Sequence, residues 1–77
     1  MTYSVKIFGE RVDTGIAWTG SVFRRDDNGQ QGGNLASLVR GWCEDHITAG
    51  GDDPADYKAE IEAAVDSVED DREGDDD

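Results

Sequence analysis

The sequence predicts a single small α+β domain, in which a β-hairpin is followed by two α-helices in the order ββαα. Apolar and polar residues alternate over roughly the first 25 residues, which is typical of half-buried strands. Two later segments carry apolar residues at helical spacing. The chain has 77 residues, a length that supports one domain with a small core. We predict that residues 1–69 form this domain and that residues 70–77 form a disordered acidic tail.

The strand prediction rests on period-two alternation in two neighbouring segments. Apolar side chains alternate with polar ones over residues 3–7 and again over residues 16–22. Residues 13–15, with the sequence Asp-Thr-Gly, lie between them and have the composition of a turn, because glycine adopts positive φ without strain. We therefore predict two antiparallel strands, at about residues 2–12 and 15–25, joined as a hairpin.

The first helix is predicted to follow a polar, glycine-rich segment. Residues 26–33 read as a flexible connector. Asn34 is the predicted N-cap, since its side chain can accept a hydrogen bond from a free N–H of the first turn. Gly50 and Gly51 end the helix without a steric penalty. The predicted apolar face consists of Leu35, Leu38, Val39, Trp42 and His46.

The second helix has a clear start and a weak end. Asp53 is suited to the N-cap, and Pro54 to the first helical position. The acidic residues that follow Val68 lie at the negative end of the helix dipole, so we expect the helix to fray from Glu69. The apolar stripe is narrow and consists of Tyr57, Ile61, Ala64, Val65 and Val68.

The two tryptophans are predicted to lie in the core. The chain has few other large side chains with which to build one. The alternative is that Trp18 and Trp42 anchor an interface, where tryptophan is enriched.

Negative charge is concentrated towards the C-terminus. Residues 51–77 contain thirteen acidic and two basic residues, whereas residues 1–50 contain six acidic and five basic residues. The net charge of −12 disfavours direct binding of nucleic acid or of anionic lipid, because both ligands are themselves negative. We therefore expect a nearly neutral body joined to an acidic helix and tail that meets a basic protein surface.

A row of carboxylates is the candidate binding site. Glu62, Asp66 and Asp70 follow one another at i, i+4, and four residues of helix rise about 6 Å. That rise is similar in order to the spacing of phosphates along a nucleic-acid strand, so the row could occupy a groove shaped for a phosphate backbone. The alternative is a solvated face that only confers solubility. The predicted partner-binding residues are Glu62, Asp66, Glu69, Asp70 and Asp71.

These features predict a non-enzymatic protein that binds a basic surface of another protein, for instance a nucleic-acid-binding protein. An inhibitor or nucleic-acid mimic encoded by a virus or mobile element is one version. An alternative is a structural or assembly subunit whose tail serves solubility. This subunit would be a homodimer that pairs two hairpins into one sheet, because two strands alone are marginally stable and leave an open edge. A second alternative is a small domain from a halophilic organism, although salt adaptation should acidify the whole surface.

Residues suited to catalysis or metal binding are few. Cys43 and His46 lie three residues apart on the predicted first helix, but zinc needs two further ligands, and a nucleophile pair needs an orienting group. An EF-hand placed over residues 24–35 fails, because Arg24 and Leu35 occupy positions that require carboxylates. We therefore predict no enzymatic activity, no metal site and no cofactor.

The expected compartment is the cytoplasm. A lone cysteine forms no intramolecular disulfide, which favours a reducing environment. The first residues lack the apolar stretch of a signal peptide. No apolar run approaches the ~18 residues of a membrane span, so we expect no membrane contact.

Overall fold

The computed structural model describes residues 2–70 and confirms the predicted α+β class. Four strands precede two helices, and a two-residue strand follows them. The strands are β1 (Tyr3–Ile7), β2 (Glu10–Trp18), β3 (Phe23–Arg25), β4 (Gln31–Gly32) and β5 (Glu69–Asp70). The helices are α1 (Leu35–Ala49) and α2 (Lys58–Asp66), and a 3₁₀ helix (Pro54–Tyr57) leads directly into α2.

The helical region begins and ends largely where the sequence predicts. Asn34 caps α1, its Oδ1 accepting a hydrogen bond from the backbone N–H three residues later at 3.2 Å. Asp53 caps the 3₁₀ helix, its Oδ1 accepting from the backbone N–H two residues later at 2.9 Å. Gly50 is the C-cap of α1, as predicted, whereas α2 stops at Asp66, before the last apolar residue of the predicted stripe. Within residues 2–70, neither helix combines the length and the hydropathy needed to cross a bilayer.

The first hairpin turns earlier than the sequence predicts. Ile7 pairs with Glu10, so the turn consists of Phe8 and Gly9, with φ of 53° and 76°. Positive φ at both central residues defines the type I′ turn, which matches the twist of a two-residue hairpin. The predicted strand limits, 2–12 and 15–25, are therefore wrong.

The predicted turn at residues 13–15 is instead an irregularity inside β2. Tyr3 pairs with Ile16 but Ser4 pairs with Asp13, so two extra residues of β2 interrupt the ladder. Thr14 stabilises this bulge, because its buried hydroxyl donates to the Tyr3 carbonyl at 2.7 Å and accepts from the Ile16 N–H at 3.2 Å. Aspartate, threonine and glycine suit a bulge as well as a turn, which explains the error.

Both helices pack on one face of an antiparallel sheet whose strand order is β4-β3-β2-β1-β5. Trp42 lies in this core as predicted, but Trp18, at the end of β2, is 53% exposed, so its predicted core position is wrong. Each large apolar side chain that is buried contributes roughly 1.5–3 kcal/mol. The core consists of Val5, Ile7, Ile16, Leu38, Val39, Trp42, Cys43, Ile47, Ile61 and Ala64.

The edge of β1 is closed by the end of the described chain. The Lys6 N–H donates to Ser67 Oγ at 2.8 Å, and β5 pairs with the first two residues of β1. Asp70, predicted to begin the disordered tail, thus lies beside Tyr3 in the sheet, while residues 71–77 of that tail lie outside the described residues. β3 pairs with residues 16–18 of β2. The sheet gains three further strands within one chain, so the homodimer stays a prediction without the isolated two-stranded sheet that suggested it.

A buried arginine orders the segment predicted to be a flexible connector. Arg25 is 1% exposed, and its guanidinium bonds Asp27 through two nitrogens, at 2.6 and 3.0 Å. A third nitrogen lies 3.0 Å from Asp45 of α1. The Arg25 backbone N–H also donates to the Gln30 carbonyl at 2.8 Å. The loop between β3 and β4 is therefore built around this side chain, which also connects it to α1.

We predict that Arg25→Met lowers the free energy of unfolding by about 1.5–3 kcal/mol, the usual contribution of hydrogen bonds to charged groups. The loss stays limited because the side chains of Asp27 and Asp45 are 51% and 64% exposed, so water can solvate them when the arginine is gone. Urea denaturation at neutral pH measures this change.

The same variant should be less sensitive to acid. Arg25 lowers the pKa of Asp27, so this pair stabilises the fold above the ordinary aspartate pKa of about 4, and the stabilisation disappears as the pH falls through the lowered value. The free energies of unfolding of the parent and the variant should therefore converge as the pH falls. A difference in the free energy of unfolding that stays constant at every pH would contradict this role of Arg25.

Candidate functional site

The charge of the described chain is divided between its two halves. We call residues 35–66, which include both helices and the segment between them, the helical layer, and residues 2–34 the sheet half. The sheet half contains four basic and four acidic residues, whereas the helical layer contains two basic and eight acidic residues. The remaining described residues, 67–70, add two acids, Glu69 and Asp70 of β5. The polarity predicted for the tail therefore already exists within the folded body. The acids of the helical layer are Glu44, Asp45, Asp52, Asp53, Asp56, Glu60, Glu62 and Asp66.

Four of these eight acids have identifiable structural partners. Asp45 pairs with Arg25, Asp53 caps the 3₁₀ helix, and Glu60 accepts a hydrogen bond from the Phe8 N–H at 2.8 Å. Glu62 pairs with Arg40 of α1. The other four carboxylates are exposed and make no ion pair or hydrogen bond with the described part of the chain. They are Glu44, Asp52, Asp56 and Asp66.

The pair of Arg40 and Glu62 neutralises one predicted site residue. Arg40 lowers the Glu62 pKa, first through the hydrogen bond and then through its charge, and the Arg40 pKa is raised in return. Both side chains are exposed, so the pair contributes little to stability. Glu62 is nevertheless not a free carboxylate, and any ligand that uses it must compete with Arg40.

The structure separates the predicted row of carboxylates. Asp66 is the last residue of α2 and is exposed, but the chain then leaves the helix at Ser67. Glu69 and Asp70 belong to β5, where their backbones pair with Ser4 and Tyr3. The predicted helical face that joins Glu62, Asp66 and Asp70 is therefore wrong, because α2 ends four residues too early. Asp71, the fifth predicted residue, lies outside the described residues.

The acidic surface of the helical layer was only partly visible in the sequence. Counting acids along the sequence places most of the negative charge in residues 51–77. Glu44 nevertheless lies on α1, within the segment predicted to be nearly neutral. Asp52 and Asp56 flank the start of the 3₁₀ helix, where acids are also expected for capping. An acid count made for each predicted helix, rather than for each end of the chain, would have found these residues.

The outer face of the sheet has the opposite character. Lys6 pairs with Arg11 in the ladder of β1 and β2, and Arg24 lies on β3. All three side chains are exposed on the face opposite Val5, the face not covered by the helices. Asp13 shares this face. The bases of the strands and the acids of the helices thus lie on opposite sides of the molecule.

An open groove of about 770 Å³ runs between α1 and α2. Ile61 and Pro54 provide apolar surface, and the charged side chains along it are of mixed sign, including Arg40, Glu44 and Lys58. Such a groove offers contact area for a partner. No family model, curated protein or solved structure matches the chain.

The residues considered for catalysis lie in different surroundings. Cys43 is fully buried, and burial raises the pKa of its thiol to about 11, which disfavours the reactive thiolate. His46 is exposed and stacks on Trp42, with the ring centres 4.8 Å apart. Within residues 2–70, no three side chains of His, Cys, Asp or Glu are grouped as metal ligands.

We predict that Arg40→Gln raises the Glu62 pKa towards that of an ordinary glutamate, because the direct partner is lost. NMR titration of the side-chain carboxyl group measures this pKa. Lys58→Gln is the matched control, since it removes one positive charge from the same groove and leaves the ion pair intact. Equal shifts of the Glu62 pKa in the two variants would contradict a direct pair.

Proposed function

We propose that this protein is a non-enzymatic binding protein whose helical layer contacts a basic surface of a partner protein. The observation that carries the proposal is the segregation of charge: the helical layer has eight acids and two bases, whereas the sheet half is balanced. Surfaces of one sign attract partners of opposite sign and raise the rate of encounter.

Two of the four exposed acids, Glu44 and Asp66, are not explained by the stability of the fold. Asp66 lies at the C-terminal end of α2, where a carboxylate is unfavourable with respect to the helix dipole. Glu44 is in the second half of α1, and Arg40, the base one helical turn before it, is paired with Glu62. A basic partner would offset the repulsion among these carboxylates and would release counterions on binding. Both effects predict an association that weakens as salt is added.

An inhibitor that occupies a nucleic-acid-binding site is the more specific version of this proposal. Its support is the density of exposed carboxylates, not their regular spacing, since the predicted row is interrupted after Asp66. Under this version, a double-stranded DNA fragment should displace the partner from the protein. A viral or mobile-element origin and a cytoplasmic location belong to the same proposal, and the buried free thiol of Cys43 is consistent with a reducing compartment.

A structural or assembly subunit is the second candidate, and one observation favours it. Trp18 is 53% exposed and contacts Phe23, with the ring centres 4.8 Å apart. Tryptophan is enriched among residues that dominate interfaces. If assembly is the function, replacement of Trp18 should abolish association, and removal of helical acids should leave it intact.

We predict that removing two helical acids weakens partner binding, whereas removing two acids from the sheet half does not. The test pair is Asp56→Asn with Asp66→Asn, and the control pair is Asp13→Asn with Asp26→Asn. Each pair removes two negative charges from exposed side chains, so the net charges of the two proteins are equal. Proteins captured from the source cells at low and high salt are identified and quantified by mass spectrometry.

The helical pair should lower capture of basic proteins by roughly two- to tenfold at low salt, as expected for two exposed ion pairs. Capture by the parent protein should fall in high salt. Equal losses for the two variant pairs would show that only net charge matters, and would contradict a specific surface on the helical layer. Failure of the parent to retain any basic protein would contradict the proposal as a whole.

A further inference from the structure

The tip of the first hairpin holds an aromatic residue in an unfavourable backbone conformation. Phe8 has φ of 53° and is the one non-glycine residue with positive φ within residues 2–70. A bulky side chain rarely adopts this conformation. Asn-Gly is the preferred sequence for a type I′ turn, so phenylalanine at the first turn position costs stability relative to asparagine.

The Phe8 ring gains little burial in return. It is 47% exposed, although it makes an edge-to-face contact with Tyr57, with ring centres 5.3 Å apart and planes at 90°. The Phe8 N–H donates to Glu60 Oε2 at 2.8 Å. Tyr57 and Glu60 belong to the helical layer, so these two contacts hold an exposed ring at the border of the acidic surface.

The helical side of this ring is acidic, whereas the two bases of the same hairpin, Lys6 and Arg11, lie on the outer face of the sheet. The Glu60 carboxylate lies beside it, since it is bonded to the backbone of Phe8 itself. Glu10 follows the turn and Asp56 precedes Tyr57, and both are exposed. Lys58, which follows Tyr57 in sequence, lines the groove between α1 and α2. An aromatic ring next to a carboxylate is the combination that binds a guanidinium group, which stacks on the ring and hydrogen-bonds the carboxylate.

We propose that Phe8, Tyr57 and Glu60 form the contact point for an arginine side chain of the basic partner. This inference rests on the proposed function and names the residues that dominate it. Phe8 supplies the ring, Tyr57 fixes its orientation, and Glu60 supplies the charge. A second copy of this chain is a poor occupant, because contact between two hairpin tips would bring Glu10, Asp56 and Glu60 of each copy against one another.

Phe8→Asn tests the proposal, because it removes the ring and relieves the backbone strain of positive φ at this position. The thermal midpoint should rise by about 4–8 °C, the shift expected for 1 kcal/mol in a domain of this size. A residue that serves only the fold would give the reverse, since loss of the Tyr57 contact would lower the midpoint. Trp18→Thr is the matched control, because it also removes an exposed aromatic side chain. Trp18 lies at the end of β2 and is distant in sequence from the helical layer.

The probe is an acetylated, amidated tetra-arginine peptide, and the tetra-citrulline peptide is its neutral isostere. In NMR titrations of the parent protein, tetra-arginine should shift the amides of residues 8–10, 57 and 60 most. Phe8→Asn should weaken this binding by about two- to fivefold, the effect of one exposed cation–π contact. Trp18→Thr should bind as the parent does. Glu60→Gln, which keeps an acceptor for the Phe8 N–H, should also weaken binding.

The outcomes separate this inference from the proposed function. If the parent binds tetra-arginine no better than tetra-citrulline, the proposed function fails. If the parent discriminates but Phe8→Asn and Glu60→Gln bind as tightly as the parent, the function stands and this contact point is wrong. The contact point is also wrong if Phe8→Asn lowers the thermal midpoint without weakening binding, or if sedimentation shows a dimer of the parent that Phe8→Asn abolishes.

Discussion

The packing of both helices on one face of the sheet is the constraint on which the rest of this structure depends. Val5, Ile7 and Ile16 face the helices because strand residues alternate sides. The same alternation sends Lys6 and Arg11 to the uncovered face. The helices, which bury their apolar stripes inward, present their acids to solvent on the opposite side. Segregation of charge is thus a consequence of a one-sided core combined with basic strands and acidic helices, and it does not require the tail.

The return of the chain from α2 to β1 adds a second constraint. Ser67 and Glu60 accept hydrogen bonds from the N–H groups of Lys6 and Phe8, which β1 would otherwise leave unpaired at its edge. An edge closed in this way does not recruit another strand. The same contacts attach the first hairpin to the helical layer, so that its exposed tip lies next to the acidic surface. Glu60 therefore contributes both to closure of the sheet edge and to the proposed contact point.

The helices were predictable because their signals are local: Asn34, Asp53 and Pro54 mark starts, and glycines mark the end of α1. The first hairpin was predictable from its alternation, but the position of its turn was not, since phenylalanine hides a type I′ turn while Asp-Thr-Gly imitates one inside a bulge. β3, β4 and β5 are too short to show alternation and depend on partners distant in sequence. For the candidate site, the excess of acid was predictable by counting. The exit of the chain at Ser67 and the burial of Arg25 were not, because both depend on tertiary contacts.

The central claim, that negative potential is concentrated on the helical layer, is tested most directly by relaxation of amide protons with paramagnetic cosolutes. Cationic and anionic nitroxides of equal size report the sign of the potential near each backbone amide. The structure predicts that the excess of cationic over anionic relaxation is largest for residues 35–66 and smallest on the outer face of the sheet, around Lys6, Arg11 and Arg24. A uniform ratio over residues 2–70 would contradict the segregation of charge and remove the basis of the proposed binding surface.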